Sequence, residues 1–254
     1  MPENKNHYEL EEPVGQQFAQ IWTNLGYFYD PQKKLSLTLC VPPNQGQKQA
    51  PHYPVILYAE DSLSNKNRLS ALLQFTAKGY AIALLDPEGS ESDPIDKIMH
   101  FNSAARFLML HAWKYSLDPN RIIAMGEGTG GYTAAGAVLS IGQQKYSSED
   151  AHTLPVNFRS CICISGKFAE DNSPRLPELK SKRKIPPFLL MHGENDQTID
   201  FVESEQFCSF LEAIGQEVSL YKFKSCPHAA DAFFTPYVID ILSNFIFSSI
   251  QKSK

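Results

Sequence analysis

The segment Arg121-Ile122-Ile123-Ala124-Met125-Gly126-Glu127-Gly128-Thr129-Gly130-Gly131-Tyr132 constrains this chain more than any other. Ile122 to Met125 is an uninterrupted apolar run, the pattern of a strand covered on both faces of a parallel sheet. Gly126, Gly128, Gly130 and Gly131 then allow the backbone a sharp turn, and Tyr132 to Leu139 reads as a helix. Strand, sharp turn and helix in that order place the turn at the carboxyl end of a strand. Open α/β sheets hold their ligands at those ends.

The flanking sequence predicts the rest of such a sheet. Strand-like segments come first, at Phe18–Tyr27, Leu35–Val41 and Val55–Tyr58. Leu35-Ser36-Leu37-Thr38-Leu39 alternates apolar and polar, which suits a half-exposed antiparallel strand. Helices and strands alternate thereafter. Helices are predicted over Asn67–Lys78, Ile95–Tyr115, Phe201–Ile214 and Ala229–Ile250, and strands over Ala81–Leu85, Cys161–Ser165, Pro186–Met191 and Val218–Phe223. Asp118-Pro119-Asn120 is expected to turn the chain into Ile122. This order predicts one α/β domain spanning residues 1–254, with a mostly parallel sheet of eight strands between helices on both faces. Residues 167–186, polar with Pro174 and Pro177, read as a small cap excursion. Their basic cluster Lys180, Lys182, Arg183 and Lys184 reads as a solvated face.

Composition removes several function classes. A formal charge of −5 over 254 residues provides no basic surface for nucleic acid or anionic lipid. No apolar run approaches the roughly 18 residues of a membrane helix, and Met1 to Pro13 shows no signal-peptide character. The five cysteines are scattered, with no Cys-x-x-Cys pair, so neither a zinc site nor a disulfide framework is expected. A cytoplasmic location follows as an expectation, with no metal and no cofactor. A homo-oligomer is left open.

The chemistry lies in three loops. Gly-x-Ser-x-Gly, which carries a serine nucleophile on a strand-to-helix turn, aligns with Gly126-Glu127-Gly128-Thr129-Gly130, and Gly128 stands at the serine position. His192-Gly193-Glu194-Asn195-Asp196 follows the Pro186–Met191 strand. Lys224-Ser225-Cys226-Pro227-His228 follows Val218–Phe223. A triad needs a base within reach of the nucleophile and an acid that fixes the base's tautomer. His228 and Asp196 are placed for those roles. Asp196 has a second reading as the helix N-cap before Phe201, Glu127 as a brace behind the turn, and His192 as a locally bonded side chain.

These spans, with Pro54-Val55-Ile56-Leu57-Tyr58 and Asp118-Pro119-Asn120-Arg121-Ile122, resemble the α/β-hydrolase superfamily, most of all its small bacterial acetylesterases and carboxylesterases. The resemblance runs from about Leu35 to Phe247. It implies a serine nucleophile at position 128, an acid at 196, a base at 228 and an oxyanion donor in the N–H of Thr129. The chain departs from it twice. Gly128 lacks the nucleophile, and Ala59-Glu60-Asp61-Ser62 stands where related esterases carry a glycine run that helps form the oxyanion hole. Glu60 and Asp61 would set carboxylates where donors should stabilise an oxyanion. In subtilisin, loss of the nucleophile costs roughly 10⁶ in turnover. An introduced change at 128 would leave the 59–62 loop unexplained, so two losses point to a degenerate site.

The expectation is therefore an esterase-like protein that binds a small-molecule ligand or a partner without catalysis. Its pocket would hold Glu60, Asp61, Asp196 and His228, an acidic set suited to a cation. The competing reading is a working hydrolase of small esters that uses Thr129, or a water held by His228 in the space beside Gly128. A third reading takes Gly126 to Gly131 as Gly-x-Gly-x-x-Gly, a dinucleotide fingerprint. That fingerprint belongs after a first strand, with an acid about 20 residues on. Here it follows about the fifth strand.

Overall fold

Alternate residues of each central strand feed opposite sides of the sheet, because strand side chains point up and down in turn. Val55 and Leu57 join one apolar cluster with Ile98, Phe101, Ala134 and Phe207. Ile56 and Tyr58 join the other, with Phe75, Phe233 and Leu242. Two helical layers therefore cover one sheet. The structure, a computed structural model, describes residues 18–29, 33–44, 52–62, 66–88, 92–147, 154–168, 176–177 and 185–252.

The strands are β1 (Gln20–Tyr29), β2 (Lys34–Val41), β3 (Tyr53–Ala59), β4 (Ala81–Leu85), β5 (Leu117–Glu127), β6 (Phe158–Ile164), β7 (Phe188–Gly193) and β8 (Val218–Phe223). They form one eight-stranded sheet in the order β1-β2-β4-β3-β5-β6-β7-β8. β2 runs antiparallel to both β1 and β4, and β3 to β8 are mutually parallel. The helices are α1 (Leu69–Leu72), α2 (Pro94–Leu110), α3 (Thr129–Leu139), α4 (Phe201–Ala213) and α5 (Pro236–Gln251). This is the α/β-hydrolase fold that the sequence predicts.

Several boundaries differ from the sequence reading. Asp118-Pro119-Asn120 falls within the bounds of β5 but loops out of register opposite Tyr53 to Val55, with the Asn120 N–H on Asp118 Oδ1 at 2.8 Å, and leads into Ile122. A bulge there accommodates Pro119, which cannot donate to the ladder. The 67–78 helix is one α-turn followed by a 3₁₀ segment, Leu73–Lys78. The last helix is divided at Thr235-Pro236, with a 3₁₀ turn at Asp231–Phe234 before α5. Pro236 starts α5 because its fixed φ and missing N–H suit the first helical turn. α2 stops at Leu110, five residues before Tyr115. Most of the 167–186 excursion, including its basic cluster, lies outside the described residues. Among the described residues, no helix is long and apolar enough to cross a membrane.

Candidate functional site

Four loops meet at the carboxyl ends of β3, β5, β7 and β8. Gly128 joins β5 to α3 with φ 55° and ψ −120°, a positive-φ backbone that glycine adopts without steric cost. Asp196 follows β7 and His228 follows β8. Gly193 brings those two loops together, since a Cβ on it would lie 2.2 Å from the carbonyl oxygen of Cys226. The Asn195 N–H donates to that same carbonyl at 3.0 Å. Ser225 and Ala229 both hold positive φ, at 56° and 48°, so the loop that carries His228 is strained on either side of it.

Asp61 stands at the centre. His228 Nδ1 donates to Asp196 Oδ2 at 2.7 Å, and His228 Nε2 donates to Asp61 Oδ2 at 2.8 Å. The other Asp61 oxygen, Oδ1, accepts from the Thr129 N–H and from Thr129 Oγ1, both at 3.1 Å. Ser62 N and Ser62 Oγ bond Thr129 Oγ1 from the far side at 2.9 Å. A Cβ built on Gly128 would lie 2.3 Å from Asp61 Cγ. The carboxylate thus fills the space into which a side chain at 128 would project. The room for a water beside Gly128, one of the sequence expectations, is taken by this carboxylate. The Thr129 hydroxyl bonds Asp61 and Ser62, and its hydrogen bonds do not include His228.

The electrostatics follow from this geometry. An ionised carboxylate only accepts hydrogen bonds, so a histidine facing one at each nitrogen must donate from both and carry a charge. The Asp196 and Asp61 carboxylates accordingly push the His228 pKa from 6.5 up to about 9. Burial works to raise the Asp196 carboxyl. Hydrogen bonds from His192, His228 and the N–H groups of Ile199 and Thr198 outweigh it and hold the group well below the carboxylate range. His192 is buried, with Nδ1 on Ser204 Oγ at 2.7 Å and Nε2 on the Ile199 carbonyl at 2.9 Å, the local bonding expected of it. The cap of α4 is Asp200, not Asp196.

Glu60 does not join this group. Its Oε1 accepts from the Arg68 N–H at 2.9 Å, and burial raises its pKa. The predicted acidic pocket therefore divides. Asp61 and Asp196 are spent on His228, and Glu60 faces Arg68. The small cleft that Glu60 and Asp61 line with Asp86, Glu88, Lys97 and Thr133 has an interior volume of 40 Å³. That is room for only a few waters.

Glu127 braces the turn, and its partner is one the sequence reading missed. Arg68 Nε and Nη2 donate to the two Glu127 oxygens at 2.7 Å each, a bidentate pair. Arg68 also donates to the Ala229 carbonyl at 2.8 Å and to Asp231 Oδ1 at 2.9 Å. Its guanidinium lies 4.7 Å from the Phe234 ring centre. One side chain therefore ties the residue before Gly128 to the residue after His228. No motif marks Arg68, because a single arginine before a short helix looks like any solvated one.

The fold and the loop arrangement define an α/β-hydrolase scaffold, and comparisons with known proteins agree. The BD-FAE family model matches residues 47–163, somewhat under half of the chain. Esterase 2 of Thermogutta terrifontis, in a form phosphoramylated by tabun, superposes with a TM-score of 0.73 at 19% identity, covering 94% of this chain and 96% of that one. A truncated carbohydrate esterase from gut microbiota superposes with a TM-score of 0.77 at 16% identity, covering 94% and 99%. Isoprenylcysteine alpha-carbonyl methylesterase of Arabidopsis thaliana is 22% identical over 61% of this chain and 44% of its own length. The chain thus spans less than half the length of the curated relatives it matches. The likeness to these solved structures shows the α/β-hydrolase fold.

Proposed function

We propose that this protein is a non-catalytic member of the esterase-related α/β-hydrolases, acting by binding a small-molecule ligand or a partner. One observation carries the reading: the Asp61 carboxylate occupies the space of the nucleophile's side chain, accepts from the Thr129 N–H and holds His228 Nε2. A hydrolase needs each of these three positions for its substrate and its nucleophile. A nucleophile must stand at 128, the oxyanion donor must be free, and the base must be neutral. With a pKa of about 9, about one His228 in a hundred is neutral at pH 7.

Gly128 and Asp61 act as one spatial exchange. The side chain lost from the elbow is matched by one gained on the facing loop, and each leaves room only for the other. The helix end that a dinucleotide's phosphates would use is likewise closed, because its Thr129 N–H serves Asp61.

A panel of short-chain nitrophenyl esters tests this reading. The native chain and Gly128→Ser are expected to show no turnover above buffer, the variant because the added hydroxymethyl group would collide with Asp61. Asp61→Gly combined with Gly128→Ser vacates the hole and supplies the nucleophile, and turnover is expected there. Native turnover that vanishes in His228→Ala would overturn the proposal.

A further inference from the structure

At the other end of α3, about 16 Å from Gly128 at 1.5 Å per residue, lies a separate cavity of 340 Å³. Asn102 and Arg106 of α2 line it, with Ser140, Gln143 and Ser147 beyond α3. Among the described residues of that lining, Arg106 is the only charged one, and it is 8% exposed. Its Nη2 is buried without a hydrogen-bond partner. Among the described residues, no carboxylate offsets its charge, and burial alone draws its pKa down.

Neighbouring polar groups bond within the chain. Asn102 Nδ2 donates to Ser140 Oγ at 3.0 Å and to the Tyr146 carbonyl at 3.1 Å. Three of the last four carbonyls of α3 are taken as well. Ser140 Oγ donates to Ala137 at 2.9 Å, Gln143 Nε2 to Leu139 at 3.1 Å, and Ser140 N–H to Gly136 at 2.8 Å. A guanidinium does not shed its proton at physiological pH. An unmatched charge in a buried wall is costly, and native structures pair such charges.

We propose that this cavity binds a small oxyanion, a carboxylate or phosphate group, with Arg106 as its charged ligand. The planar fork of the guanidinium suits both, and the cavity has room for a group of that size. The site is independent of the reading given above for Asp61 and His228, and its test uses no esterase assay.

Inorganic phosphate and acetate are titrated separately into the ¹⁵N-labelled chain at constant ionic strength held by chloride. Saturable shifts are expected at the Gly142 and Gln143 amides and at the Arg106 side-chain Nε, with the tighter of the two anions naming the class. Arg106→Met is expected to abolish the shifts while circular dichroism stays native. Arg106→Gln, which keeps amide hydrogens without the charge, is expected to weaken binding at least roughly tenfold, since charge-assisted bonds are about twice as strong as neutral ones. Absence of saturable shifts with either anion overturns the proposal. So does undiminished binding in Arg106→Gln.

Discussion

Arg68 and Arg106 are both buried arginines, 4% and 8% exposed, and they differ in what answers their charge. Arg68 lies behind the Gly128 turn and is answered by Glu127, Asp231, the Ala229 carbonyl and the Phe234 ring. Arg106 lines the cavity beyond the far end of α3, and its Nη2 is answered by nothing among the described residues. The Asp61–His228–Asp196 row closes on itself in the same way as Arg68. Charges that the chain itself completes hold loops in place. A charge left open asks for something from outside. The end of the sheet where esterases work is the completed end here, and the open end is elsewhere.

Breaking the completed end should cost most. Arg68→Met leaves Glu127 buried and unpaired beside Gly128, a loss of about 3–5 kcal/mol. In a chain of this size, each kcal/mol lowers the melting temperature by about 2–4 °C, so calorimetry should show a drop of roughly 10 °C. A loss below about 1 kcal/mol would show that the Arg68 brace is not a structural tie.

Alkali should loosen the same end more gently. The His228 pKa is raised in the folded state to about 9 from its ordinary 6.5. The associated stability is therefore fully present below about pH 6.5 and lost as pH rises through 9. The difference corresponds to about 3 kcal/mol. Denaturant unfolding between pH 7 and pH 10 should show that decline, and His228→Gln should flatten it over that window. A His228 resonance, assigned by its loss in His228→Gln, that titrates near pH 6.5 would remove the charge from the row.

Filling the turn comes next. Gly128→Ala places a methyl carbon 2.3 Å from Asp61 Cγ, and overpacking of this kind costs about 1–3 kcal/mol. In the Asp61→Gly background the same substitution should lose most of that penalty. A double-mutant cycle reads the coupling directly. Additive effects would separate the two positions and break the spatial exchange on which the proposed function rests.

Much of the completed end was legible in the sequence, and the reasons are local. Gly128 and Thr129 stand on a strand–turn–helix signal. Asp196 follows an apolar strand and His228 an alternating one, so chain order alone puts them at the same edge of a parallel sheet. The loop at 59–62 showed that something had replaced the glycine run, but not what the replacement did. Proximity suggested that Asp61 opposes an oxyanion. Geometry shows it taking the donors that an oxyanion would use. Glu60, one residue away, points elsewhere, and adjacent loop residues give no periodicity from which to tell the two apart. Arg68 and Arg106 were both invisible, because burial of a lone arginine is decided by elements distant in sequence. The helix boundaries near 72, 110 and 235 moved for similar reasons. A 3₁₀ turn and an α-turn share their apolar spacing over so few residues.

Arg106→Met should give the smallest effect, and its sign is informative. Removing a charge that has no partner leaves no orphaned carboxylate behind, in contrast to Arg68→Met. The methionine keeps the apolar stem of the side chain and deletes only the polar head. Replacing uncompensated buried charge with apolar volume is neutral or stabilising, so stability in chloride buffer should change by about 1 kcal/mol or less, or rise. In saturating phosphate or acetate the order should reverse, because a ligand that binds only the folded state stabilises the native chain and not the variant. At about 100 times its dissociation constant, that linkage amounts to about 2.7 kcal/mol. Calorimetry of both proteins in both buffers measures it. Equal losses from Arg68→Met and Arg106→Met in chloride would mean that Arg106 has a partner within the chain after all, and the contrast between the two arginines would fall.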